Sequence, residues 1–156
     1  MISRFVRRAL LALCSLGLLA AGTAWAEVPM PPIVEKPFAT HHIVLQISDP
    51  NPMKQTLVLN VAANMARYYG PDKVDIEIVA FGPGLRLLLN NNVNRKRIIE
   101  LAKNYGVKFD ACHNTLMHFK KMLGYLPKLN PEAVVVPAGA VRIVDLVQHG
   151  YTLIKP

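Results

Sequence analysis

HIVLQISDPNPMKQTLVLNVAANMARYYGPDKVDIEIVAF, residues 42–81, decides the fold. Ile43-Val44-Leu45-Gln46-Ile47 is short, apolar and β-branched, which suits a strand buried on both faces. From Met53 to Tyr69 the apolar Leu57, Val61, Met65 and Tyr68 recur at helical spacing. Gly70 offers a left-handed end to that helix, and Pro71 prevents its continuation. Val74 to Phe81 then alternates as a second strand. Strand, helix, glycine, strand is one right-handed βαβ unit.

The same order recurs along the chain. Gly82-Pro83-Gly84 makes a turn into a helical turn or two over Leu85–Leu89, and Asn90-Asn91-Asn92 breaks the segment. Asn94 is placed to cap a helix over Arg95–Tyr105, which Gly106 ends before a strand at Val107–Ala111. Asn114 or Thr115 opens a short helix to about Met122. Ala133–Val136 reads as a fourth strand, Val141–His149 as a helix ended by Gly150, and Tyr151–Ile154 as a fifth strand. Gly70, Gly106 and Gly150 fill one slot, after a helix and before a strand. Residues 41–156 are therefore expected to form a three-layer α/β/α sandwich on a five-stranded, mainly parallel sheet.

Open parallel sheets collect ligands at the carboxyl ends of their strands. Here those ends are Ser48–Asn51, Phe81–Gly84, Ala111–Asn114 and Pro137–Gly139, and Cys112 falls between a strand and a helix. The positive end of a helix favours a thiolate over a thiol, which makes Cys112 a candidate nucleophile. His113 and Asn114, with the backbone of Gly82 and Gly84, are candidates for stabilising its charge. The bland reading is a buried strand-end cysteine that only packs.

The chain of 156 residues carries 18 Lys and Arg against 10 Asp and Glu, a net charge of +8. Its 52% apolar content excludes disorder and collagen-like repeats. Residues 1–26 read as a signal peptide: Arg4, Arg7 and Arg8 precede the apolar run Ala9–Ala21, and Ala24-Trp25-Ala26 supplies the cleavage pattern. That run is too short to span a bilayer, which takes about 20 residues. Export to the periplasm or beyond is expected, with cleavage after Ala26. Removing three arginines and no acid lowers +8 to +5, which argues against a nucleic-acid partner. Of Cys14 and Cys112, only Cys112 survives, so no internal disulfide can form. Residues 27–40, with Pro29, Pro31, Pro32 and Pro37, form an extended arm, either a spacer or a segment that packs on a neighbouring subunit.

Other chemistries find no support. Gly82-Pro83-Gly84 lacks the third glycine of a dinucleotide fingerprint, and Asp49-Pro50-Asn51-Pro52 is no phosphate loop. Cys112, His113 and His118 do not have metal-ligand spacing, so neither metal nor cofactor is expected. His41-His42 reads as a solvated edge, His149 as a cation suited to a helix end, and Arg95-Lys96-Arg97 as a solvated face.

The run Gly106-Val-Lys-Phe-Asp-Ala-Cys112-His-Asn-Thr-Leu116 resembles the DsrE/DsrF-like family, as do Val79–Leu85, the Asn60–Asn64 helix, Gly124, Pro137-Ala-Gly139 and the closing Gly150–Pro156. The likeness spans residues 42–156, and its Cys-x-Asn-Thr element marks an exported branch. The resemblance implies a five-stranded parallel sheet assembled into homotrimers, hexamers or mixed oligomers. It also implies that Cys112 carries sulfur as a persulfide in a relay with a donor or acceptor protein, as in cytosolic relatives. The alternative is a non-catalytic oligomeric or ligand-binding protein in which Cys112 is structural.

Overall fold

The computed structural model describes residues 28–156. The expected leader, with Cys14 inside it, lies outside the described residues. The elements in chain order are β1 (His41–Ile47), α1 (Pro52–Tyr69), β2 (Val74–Ala80), a 3-10 segment (Gly82–Leu88), α2 (Arg95–Tyr105), β3 (Lys108–Cys112), α3 (His113–Leu123), β4 (Ala133–Val136), α4 (Gly139–Gln148) and β5 (Thr152–Ile154).

The sheet has five strands in the order β4-β3-β2-β1-β5, and every pairing is parallel. Handedness then fixes the layers. Stepping from β1 through β4 in one direction by right-handed crossovers puts α1, α2 and α3 on one face. The return from β4 to the far edge puts α4 on the other. The buried residues follow this division. Leu45, Ile76, Ile78 and Phe109 pack with Val58, Leu59, Ile98, Leu101 and Phe119 in the larger core. Val44, Val79, Ile143, Leu146 and Tyr151 form a smaller core beneath α4. Each fully buried Leu, Ile or Phe in these layers contributes about 1.5–3 kcal/mol.

Local signals explain most boundaries. Asn51 caps α1 by accepting from the Met53 N–H at 2.8 Å, and Pro52 occupies the first helical position. Gly70, Gly106 and Gly150 all take positive φ at the ends expected for them. Asn94 sits at the N-cap of α2, yet its side chain makes no cap bond. Instead the Asn92 side chain accepts from the Asn94 N–H at 2.9 Å. β3 and α3 each begin earlier or later than the spacing suggests, so that Cys112 is both the last strand residue and the helix N-cap.

β2 alternates in sequence but not in burial. All seven of its residues are buried, Asp75 and Glu77 included. The cause is position: β2 is flanked by β1 and β3 and covered on both faces. Among the described residues the α4 face has one helix, and the proline-rich arm lies beside it. Arg142 Nη1 donates to the Pro31 carbonyl at 2.8 Å, Lys108 Nζ donates to the Val34 carbonyl, and the Lys36 N–H donates to Asp75 Oδ2 at 3.1 Å. Ile33 packs against the smaller core. The arm is thus laid along its own domain at Pro31, Ile33, Val34 and Lys36. Among the described residues no helix is long and apolar enough to cross a membrane.

Candidate functional site

Because all pairings are parallel, the four strand-end segments meet at one rim, and short contacts knit them together. The Gly82 N–H donates to Thr115 Oγ1 at 2.9 Å, joining the end of β2 to the first turn of α3. The Asn114 N–H donates to the Pro137 carbonyl at 3.4 Å, joining α3 to the end of β4. Gly84 lies directly against the backbone of Ile47 and Ser48 at the end of β1. Gly139, the first residue of α4, lies against the Phe81 ring.

Cys112 occupies this rim as the N-cap of α3, in extended conformation with φ −65° and ψ 116°. Strand alternation puts its side chain on the face of Lys108 and Asp110, under α4 and the arm, rather than on the α1–α3 face. It pairs in register with Val136, and α4 begins three residues further on. The residue is 5% exposed, and it is the free cysteine of the described chain.

The other candidates divide around it. His113 is half-buried in the first turn of α3. Asn114 is exposed and its side chain caps nothing, because Cys112 already holds the cap position. Gly82 spends its N–H on Thr115, so that donor is not free for a thiolate. Gly84 packs against the end of β1 with no room for a side chain. Asn114, Thr115 and Gly82 instead line a cleft of about 460 Å³ on the α3 side. His41 stacks on Tyr69 at 4.0 Å between ring centroids, and His42 reaches Glu35 at 3.5 Å, so neither is simply solvated. Among the described residues no three His, Cys, Asp or Glu side chains converge as a metal set.

The sequence comparison decides the lineage. The model of the DsrE/DsrF-like family matches residues 42–156, which takes in nearly all of β1 and every later element. The chain belongs to the DsrE/DsrF-like family. A solved structure of a protein of unknown function from Methanobacterium thermoautotrophicum is similar to it, with 26% identity and a TM-score of 0.66. The alignment covers 74% of this chain and 99% of that one. No curated protein matches.

The DsrE/DsrF-like domain also holds a buried charge cluster that the sequence reading does not single out. Arg142 Nε donates to Glu77 Oε1 at 2.6 Å and to Asp110 Oδ2 at 3.1 Å, with all three side chains buried. Two carboxylates share one guanidinium, so one negative charge is in excess unless a proton stays. Burial, with Glu77 as hydrogen-bond partner and neighbouring charge, pushes the Asp110 carboxyl up to about 9 against the opposing pull of Arg142. A proton held on Asp110 at neutral pH removes that excess. Beside it Asp75 Oδ2 accepts from Lys108 Nζ at 2.8 Å and from the Tyr151 hydroxyl at 3.0 Å. Burial, then the Asp75 charge and hydrogen bond, raises the Tyr151 hydroxyl above its ordinary range.

A pH dependence follows. The unfolded chain releases the Asp110 proton near the ordinary value of 3.8, whereas the folded chain holds it until about 9. A raised acid stabilises the fold at low pH and loses that contribution as pH rises through this window, by at most about 1.4 kcal/mol per pH unit. Asp110→Asn keeps a donor toward Glu77 and cannot ionise. Urea unfolding at pH 5 and pH 8 should show a smaller fall for the variant than for the parent; equal falls would contradict the assignment.

Proposed function

We propose that this DsrE/DsrF-like protein is an exported sulfur carrier in which Cys112 holds sulfur as a persulfide. Family membership supports sulfur-relay chemistry in general. The observation that carries the specific reading is Cys112 itself: a cysteine at a helix N-cap, at the carboxyl end of a parallel strand. A charge on its sulfur lies at the positive end of the α3 dipole.

The chemistry balances without an oxidant. The Cys112 thiolate attacks the terminal sulfane sulfur of a polysulfide, forming one S–S bond as another breaks. The shortened polysulfide leaves with the electron pair. Delivery is the same exchange in reverse sense: an acceptor thiolate takes the outer sulfur and Cys112 leaves as thiolate.

At 5% exposure the thiol needs an opening, which this reading assigns to a movement of the arm. From Lys36 at the start of β2, through Val34 at Lys108, to Pro31 at Arg142, the arm climbs the strands toward Cys112. Few apolar contacts hold it, since Ile33 is the arm residue packed on the core beneath α4. The reading includes a homo-oligomer, supported by the exposed Val141, Val144 and Val147 on α4 and Val134 on the edge strand β4.

The burial of Cys112 favours a second reading, a binding or structural protein whose thiol only packs. Polysulfide loading separates the two. The carrier gains mass in sulfur increments that Cys112→Ser lacks; the packing residue gains none while folded.

A further inference from the structure

We propose that the α3 side of the rim is a binding site for a small organic anion, a carboxylate or sulfonate on an apolar body. The proposal makes no use of Cys112, whose side chain lies on the opposite face of the sheet. Two concavities meet here, the cleft of about 460 Å³ and a larger one of about 730 Å³. Each falls within the ordinary size of small-molecule sites, about 300–1,000 Å³. Arg86, Phe119 and Met122 line both, so they form the junction.

The junction joins a forked donor to an apolar surface. Arg86 is exposed at its rim, and its side chain takes part in none of the ion pairs or side-chain hydrogen bonds of the described residues. Phe119 is a buried floor and Met122 a flexible wall. His118 stands on the cleft side of Arg86 and Lys128 on the larger side, and neither is ion-paired.

The sign of the ligand follows from what lines the two concavities. Neither lining contains an aspartate or glutamate, while Arg86 and Lys128 are both cationic. Concave walls of one sign concentrate counter-ions, and an unpaired guanidinium prefers a planar, bidentate oxoanion. The polar remainder is organised rather than loose. Gln55 is buried, accepts from Asn92 Nδ2 at 3.0 Å and donates to the Pro50 carbonyl at 3.3 Å. Asn92 Nδ2 also donates to the Arg86 carbonyl at 2.9 Å, which fixes the backbone that carries the guanidinium. An inorganic ion would leave Phe119 and Met122 uncovered, whereas an anion with an apolar body covers them.

The test is calorimetric titration of the protein without its leader, using naphthaleneacetate and its neutral isostere naphthaleneacetamide. The acid should bind and the amide should bind at least about tenfold more weakly, the loss expected for one charge-assisted pair. Arg86→Gln should cost a similar factor, because Arg86 is exposed and its loss leaves no buried group unpaired. Lys96→Gln, exposed on α2 outside both concavities, should leave affinity unchanged. Equal affinity for acid and amide would overturn the proposal. So would an Arg86→Gln variant that binds like the parent, or binding lost as the protein self-associates, which would assign the groove to a second copy of the chain.

Discussion

Arg142→Ala should cost the folded protein about 3–5 kcal/mol, the usual penalty for removing one partner of a buried charge pair. Arg142 is 3% exposed and neutralises Glu77, which is 0% exposed and has one carboxylate oxygen with no other partner. The substitution strands that charge between β2 and α4. It also releases the Pro31 carbonyl, so the arm loses a hydrogen bond to α4. Replacing Arg142, Glu77 and Asp110 together by apolar residues of similar size should recover much of the loss, since buried ion clusters trade nearly evenly against hydrophobic packing. Guanidinium unfolding measures both variants. A loss below about 1 kcal/mol for Arg142→Ala would mean that water reaches the cluster and screens it.

Gly84→Ala should be as damaging by a different route. An added Cβ would run into the Ile47 carbonyl oxygen and lie 2.6 Å from its carbon and 2.7 Å from Ser48 Cα. All three are backbone atoms at the end of β1, so no rotamer change relieves the clash. The strand end or the whole 3-10 segment must shift, and a cost of about 3 kcal/mol or more is expected from overpacking of this kind. Gly124→Ala is the contrast. Nothing lies within 4 Å of its Cβ, and only its positive φ of +78° opposes the change, a cost of about 1–2 kcal/mol. Thermal unfolding of the two variants should rank them in that order; equal losses would show that the β1 end yields easily.

The layered fold was legible because it rests on chirality and local chemistry. Strand-sized apolar runs, helices ended by Gly70, Gly106 and Gly150, and right-handed crossovers leave little choice of architecture. The rim position of Cys112 follows from the same facts. The charge cluster was not legible, since its reading depends on where β2 sits. Asp75 and Glu77 alternate with isoleucines as they would on a half-wet strand, and only the central position of β2 buries them. Two signals were present. Asp110 alternates in the same phase within β3, and Arg142 is the lone cation of a mostly apolar helix.

The course of the arm and the surroundings of the candidate stabilisers are hidden in the sequence for related reasons. Proline density predicts an extended chain but says nothing of where it lies. Its course is set by Arg142, Lys108 and Asp75, partners whose burial the sequence conceals. The one-residue offset at the end of β3 transfers the cap from Asn114 to Cys112 and turns Asn114 toward the cleft. Close packing of Gly84 against Ile47 is a constraint that the glycine turn alone does not reveal.

The central claim is that Cys112 accepts sulfur in the folded protein. Intact-mass measurement of the protein without its leader, after brief polysulfide treatment and desalting, tests it most directly. The expected result is one or more added sulfur masses, absent from Cys112→Ser and removed by a small thiol that takes the outer sulfur. An unchanged mass in the folded protein, with sulfur added only after denaturation, would contradict it and leave Cys112 as core.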